Sequence, residues 1–122
     1  MSISKKIVLA EDNSALSLLL KFKLEKERYE LFIAEDGKSA IELIKINDPD
    51  IILTDVMMPF VSGLELISHV RNKLNKKIPI LVFSAAGQEK IVLQAFELGA
   101  NDFMCKPISV NELLIRIRRL LA

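Results

Sequence analysis

Five times along this chain a short run of apolar residues gives way to a longer stretch whose apolar residues return at helical spacing. The short runs are Lys6–Ala10, Leu31–Ala34, Asp50–Thr54, Ile78–Phe83 and Asp102–Met104. The third and fourth are nearly all β-branched residues or leucine, which suits parallel strands covered on both faces. Among the longer stretches the last is the cleanest, with Val110, Leu113, Leu114, Ile117, Leu120 and Leu121 on one helical face. Gly63, Leu66, Ile67, Val70 and Leu74 make a similar stripe. Ser62 with Glu65 and Ser109 with Glu112 have the spacing of capping boxes, and Gly99 stands where a left-handed residue would close the fourth helix. The alternation predicts an α/β fold: a doubly wound (βα)5 arrangement with a parallel five-stranded sheet, helices on both faces and right-handed crossovers. Ligand sites in such folds lie beyond the carboxyl ends of the strands, where the strand order reverses.

With 122 residues, the chain is expected to form one domain over residues 1–122. Its formal net charge of +1 gives no bulk attraction for nucleic acid, so no direct nucleic-acid contact is expected. The lone Cys105 cannot close an internal disulfide, which fits a reducing, cytoplasmic compartment. Apolar runs such as Ile78–Phe83 are too short to span a bilayer, and no signal-peptide pattern follows Met1, so no membrane partner is expected. The chain ends close to its fifth predicted helix, which fits a stand-alone regulator and a piece of a longer protein equally.

Chemistry-bearing residues follow the predicted strands one by one. Glu11 and Asp12 come after the first, Asp55 after the third, Ser84 after the fourth, and Lys106 with Pro107 after the fifth. Three carboxylates on one rim repel, so at least one should have its pKa raised, and a hard divalent cation would relieve the repulsion. The ligands on offer are oxygens, which favours Mg²⁺ (or Mn²⁺) over zinc. Glu11, Asp12, Asp55 and the Met57 backbone carbonyl are the candidate ligands. A lysine on the far side marks a place for a second anion, for which a phosphoryl group is the candidate. Asp55 would then be the nucleophile, Lys106 a point charge on phosphoryl oxygens, and Ser84 a hydroxyl that senses the modification. His69 reads as a solvated or half-packed residue, and Cys105 as a small buried or half-buried one.

The set E-D-N at Glu11–Asn13, T-D-V-M-M-P at Thr54–Pro59, S-A at Ser84–Ala85 and K-P at Lys106–Pro107 resembles the receiver domain of two-component response regulators. Gly63 and the run Gly99–Phe103 match as well, so the resemblance covers essentially the whole chain. It implies a flavodoxin-like fold with strand order 2-1-3-4-5 and phosphoryl transfer to Asp55 from a histidine kinase or phosphotransfer protein. It also implies a switch made by Ser84 and Phe103, and a cis peptide at Lys106–Pro107. On this reading the domain is not a turnover enzyme, although it assists its own phosphorylation and dephosphorylation. The change passes through the fourth-helix, fifth-strand and fifth-helix face to an output domain or effector. The kinase side docks over the first helix near Ser14 and Leu18 and on the loop at Pro107–Ile108. The side chains at Met57 and Ala86 flank the path of the hydrolytic water and cannot bond to it, so slow self-dephosphorylation is expected.

The stretch after Lys106 is similar to receivers of winged-helix transcription regulators, which dimerise through that same output face. This implies a homodimer surface including Val92, Asp102 and Arg116, with Asp102 and Arg116 paired between chains. Val92 stands where those proteins usually carry a basic residue. Ile91, Val92 and Leu93 are consecutive on a helix and cannot all face the sheet, and Val92 is expected to be the exposed one. Two other classes share parts of the pattern. An aspartyl-phosphate phosphatase would want a second aspartate where Met57 stands, and a non-phosphorylated flavodoxin-like cofactor module would want a glycine-rich loop after the first strand.

Overall fold

The computed structural model describes residues 4–122. Its strands are β1 (Lys6–Ala10), β2 (Glu30–Ala34), β3 (Ile51–Asp55), β4 (Ile80–Ser84) and β5 (Asp102–Cys105). They alternate with helices α1 (Ser14–Lys26), α2 (Gly37–Asn47), α3 (Gly63–Ser68), α4 (Glu89–Leu98) and α5 (Val110–Leu121). The strands form one parallel sheet in the order β2-β1-β3-β4-β5, as the resemblance implies. Strand order reverses between β1 and β3, so the crevice lies beyond the ends of those two strands.

Alternation along each strand divides the core between the two faces of the sheet. Ile7 and Leu9 of β1 face one side with Ile51, Leu53, Leu81, Phe83 and Met104, closed by Leu20 and Leu24 of α1 and Leu113 and Ile117 of α5. Val8 and Ala10 face the other with Ile52 and Val82, closed by Ala40 and Ile44 of α2, Leu66 and Ile67 of α3, and Ala95 of α4. Burying one such aliphatic side chain contributes about 1.5–3 kcal/mol. Every residue of β3 and β4 is buried, as expected of central parallel strands.

Three strand starts differ from the sequence reading, β2 beginning one residue earlier at Glu30, which pairs with Lys6. β3 begins at Ile51 because the Asp50 carboxylate accepts the Lys6 N–H at 2.7 Å instead of extending the strand. β4 begins at Ile80, just after Pro79, which has no N–H to give to the ladder. The side chains of Asn13, Asp36, Ser62 and Ser109 cap α1, α2, α3 and α5 by accepting from the N–H groups of Leu16, Ser39, Glu65 and Glu112. Gly99 closes α4 at φ 119°, the left-handed position expected for it.

The expectation for Val92 is corrected. Val92 is 6% exposed, whereas Leu93 is 63% exposed. Ile91, Val92, Ala95 and Leu98 form the inward stripe of α4 at helical spacing, and Leu93 falls outside it.

α3 runs on into a π-helical turn, His69–Lys73, that the sequence did not announce. From this turn Arg71 donates to the Gly99 carbonyl through Nε (3.1 Å) and Nη2 (2.9 Å), to the Lys76 carbonyl (2.9 Å) and to Asn101 Oδ1 (2.9 Å). Asn101 Oδ1 also accepts the Ile80 N–H at 2.8 Å, so one guanidinium ties the α4–β5 turn to the start of β4.

Candidate functional site

β1 delivers Glu11 to the rim and fixes it there. The Glu11 N–H donates to the Ala34 carbonyl at 2.9 Å, so the residue stays in register with β2 while its side chain turns inward and is buried. The Asn13 N–H donates to Glu11 Oε2 at 3.1 Å. Asp12, one residue on, is exposed. β3 ends at Asp55, which is buried and whose Oδ1 accepts the Met57 N–H at 3.0 Å. The Met57 side chain is exposed.

Lys106 enters from β5 through a cis Lys106–Pro107 peptide, and its N–H donates to the Ser84 carbonyl at 2.7 Å. Its ammonium lies 2.5 Å from Asp55 Oδ2 and 2.9 Å from Glu11 Oε1. The lysine therefore sits on the two buried carboxylates themselves, not across the site from them. Its approach to Glu11 Oε1 is an ion pair without hydrogen-bond direction, so that buried oxygen has no directed donor.

Burial is the largest influence on Glu11 and raises its pKa; Lys106 and the Asn13 N–H oppose it, and the Asp55 charge adds to it. The raised carboxyl expected from repulsion is present, but desolvation outweighs repulsion as its cause. For Lys106, burial lowers the pKa, yet its hydrogen bond to Asp55 and its attraction to Asp55 and Glu11 together outweigh it, leaving a net rise.

Glu11, Asp12 and Asp55 each bring a carboxylate oxygen within 4.8 Å of the others. An all-oxygen set around a buried oxygen without a directed donor has the chemistry of a Mg²⁺ or Mn²⁺ site. The loop after Asp55 is held close by α3. The Gly63 N–H donates to the Val56 carbonyl at 3.1 Å, and a Cβ on Gly63 would lie 2.2 Å from the Asp55 carbonyl oxygen.

Ser84 ends β4, opposite Cys105 in the register, and is buried; its hydroxyl lies 3.7 Å from Cys105 Sγ. Cys105 is exposed, contrary to expectation. β5 is an edge strand on which Met104 alone points into the core, so Phe103 and Cys105 face the flank toward α4. There Val92, Phe96, Phe103 and Cys105 line a cavity of about 250 Å³, and the rings of Phe96 and Phe103 meet edge to face at 6.0 Å. Phe103 is partly exposed in this state.

Asp102 and Arg116 are brought together within one chain. Arg116 Nη1 donates to both Asp102 oxygens at 2.8 and 2.9 Å, Arg119 Nη2 adds a third bond at 3.0 Å, and Glu112 holds Arg116 from the other side. The hydrogen bonds from Arg116 to Asp102 and then Glu112 raise the guanidinium pKa. Within the chain these groups are thus already paired with one another.

Two residues of the loops around the rim escaped the sequence reading, as did Arg71 at the opposite end of the sheet. Gln88 holds the Ala85 N–H, Arg71 holds the turn behind α4, and Phe60 stands 90% exposed at φ 66° in the β3–α3 loop. The apolar residue directly after Pro59, in a loop, was the one available signal, and it pointed to Phe60 alone.

Comparison with protein families matches the response regulator receiver domain over residues 7–118. Among solved structures, a protein from Chloroflexus aurantiacus provisionally assigned as a response regulator is 32% identical, with 98% of each chain covered and a TM-score of 0.91. A response regulator receiver domain from Francisella is 31% identical, with 97% of each chain covered and a TM-score of 0.87. NtrX from Brucella abortus is 25% identical with a TM-score of 0.90, the match covering 98% of this chain and 27% of that one.

Proposed function

This chain belongs to the response regulator receiver family, and from that premise we propose that Asp55 is the phosphoacceptor of a two-component switch. Receiver domains of two-component systems serve phosphorylation-dependent signalling. The finer reading names the donor as a phosphohistidine on a histidine kinase or phosphotransfer protein. The observation that carries it is the Lys106 ammonium held on two buried carboxylates, 2.5 Å from Asp55 Oδ2 and 2.9 Å from Glu11 Oε1.

In the transfer, an ionised Asp55 oxygen attacks phosphorus. The new P–O bond forms as the P–N bond to the donor imidazole breaks, and that imidazole takes a proton from solvent. Lys106 follows the charge from the carboxylate to the phosphoryl oxygens. Glu11, Asp12, Asp55 and the Met57 carbonyl would hold Mg²⁺, which neutralises charge on the transferring group when bound. The Met57 N–H on Asp55 Oδ1 fixes the carboxylate plane for attack.

The kinase-side surface is assigned to α1. Ala15, Leu18, Leu19 and Phe22 follow one another at helical spacing and are all exposed, an apolar stripe whose last ring carries the Lys26 ammonium at 4.5 Å. The α4–β5–α5 face carries exposed Leu93, Phe96 and Phe103, and we assign it to an output domain, an effector or a second copy of the chain. Ser84 and Phe103 are the switch residues of this reading.

Intact mass after incubation with Mg²⁺ and acetyl phosphate tests the assignment. Wild type should gain one phosphoryl group and Asp55→Asn none. Equal labelling of both would move the acceptor elsewhere.

A further inference from the structure

Among the described residues, four of the helices α1–α5 begin with a side chain that caps the first turn, and α4 does not. The residue in its capping position, Gln88, turns back along the β4–α4 loop. Its Oε1 accepts the Ala85 N–H at 2.6 Å, and its own N–H donates to the Ala85 carbonyl at 3.3 Å. Gly87, at φ 87°, supplies the reversal that lets both bonds close. The loop is thus tied to itself while the first-turn N–H groups of α4 receive no side-chain cap.

The segment so tied carries two donors at the end of the strand beside Asp55, since Asp55 pairs with Phe83 in the register. One is the Ser84 hydroxyl, whose side-chain partner is Cys105 Sγ at 3.7 Å. Contacts to sulfur at that length are weak. The other is the Ala85 N–H, held by a short bond to an amide oxygen. The stronger hold on the segment therefore lies with Gln88.

We propose that Gln88 is a positioning residue, a resting-state latch that occupies the Ala85 N–H and keeps the Ser84–Ala85 segment from closing on a phosphoryl group at Asp55. The latch rests on the phosphoacceptor reading of Asp55. Closing the segment on the modified aspartate breaks the Ala85–Gln88 bond and leaves the Gln88 amide available to the uncapped start of α4. The loop and the helix start then change together.

Two variants of the full chain test this. Gln88→Met keeps the side-chain length and removes the acceptor, and Gln88→Glu keeps an acceptor oxygen at the same reach. The first readout is amide hydrogen exchange at Ala85 without phosphodonor; the second is affinity for beryllofluoride in Mg²⁺. Gln88→Met should speed Ala85 exchange and tighten beryllofluoride binding about two- to tenfold, the range set by one neutral hydrogen bond. Gln88→Glu should protect Ala85 as wild type does and bind no tighter. Unchanged Ala85 exchange in Gln88→Met would sink the latch, as would faster exchange with unchanged affinity, or equal tightening in both variants. A wild type that binds no beryllofluoride would overturn the phosphoacceptor reading and the latch with it. A wild type that binds normally, beside a Gln88→Met variant of the same affinity, would overturn the latch alone.

Discussion

Replacing Gly63 by alanine sets two rules against each other. Gly63 opens α3 with no positive φ, so helix propensity alone expects Gly63→Ala to stabilise the fold by about 0.5–1 kcal/mol. Packing expects the reverse. A Cβ there would lie 2.2 Å from the Asp55 carbonyl oxygen and 2.7 Å from Val56 Cα, both backbone atoms. Unstrained carbon contacts begin at about 3.5 Å, so α3 or the loop must retreat by more than about 1 Å. Neither retreats freely, because the Gly63 N–H is bonded to the Val56 carbonyl and Leu66 and Ile67 are fully buried. Overpacking of this kind costs about 1–3 kcal/mol. Subtracting the propensity gain leaves a net loss of about 0–2.5 kcal/mol, centred slightly above 1 kcal/mol. Urea unfolding followed by circular dichroism, with a slope of about 1.5 kcal/mol/M, should show a midpoint lower by about 1 M. The Asp55 backbone moves with the strain, so labelling by acetyl phosphate should slow as well. A midpoint equal to or above wild type would refute the packing argument.

Three other outcomes follow from the geometry. Phe60→Gly relieves a left-handed backbone costing about 1–2 kcal/mol and loses no buried surface, so after the entropy cost of glycine the fold should gain about 0.5–1 kcal/mol in the same urea assay. Glu11 carries a raised pKa in the folded state, so its protonated form favours folding below its ordinary value of 4.5, and that contribution is lost as pH rises through the folded pKa. Mg²⁺ requires the ionised form, so calorimetry in two buffers of different ionisation enthalpy should find proton release on binding, and affinity should fall as pH drops through the raised value. Proton uptake would reverse the sign and refute the assignment of Glu11 as a ligand. Met57→Asn combined with Ala86→Glu puts two hydrogen-bonding side chains where the family resemblance runs the path of the hydrolytic water, and loss of the label should accelerate roughly fivefold or more by mass spectrometry. An unchanged decay rate would remove these side chains from the hydrolytic path.

The fold and the rim were legible because both depend on local order along the chain. Each strand is announced by a short apolar run, and Asp55 and Ser84 close their strands while Glu11, Asp12 and Lys106 come within two residues after theirs, so topology alone gathers them. Direction of side chains was less accessible. Val92 was misplaced because the phase of α4 is fixed by Ala95 and Leu98 packing inward, and three adjacent apolar residues cannot reveal that phase. Cys105 was misplaced because a strand at the sheet edge has one face without full cover. The Gln88 and Arg71 bonds join a side chain to backbone groups whose positions exist only after folding, and nothing in the residue types announces them.

Asp102 is already saturated: Arg116 and Arg119 supply three bonds, and the Phe103 N–H supplies a fourth at 2.8 Å. A cation arriving from outside the chain can reach this carboxylate only by evicting one that is present. Such an eviction is an exchange reaction, one ion pair given up for each one formed, with a net electrostatic return near zero. Added salt weakens both sides of the exchange alike. If a partner docks here as proposed, Asp102 adds little to the attraction, and the exposed Leu93 and Phe96 on α4 are the apolar contacts this face offers it.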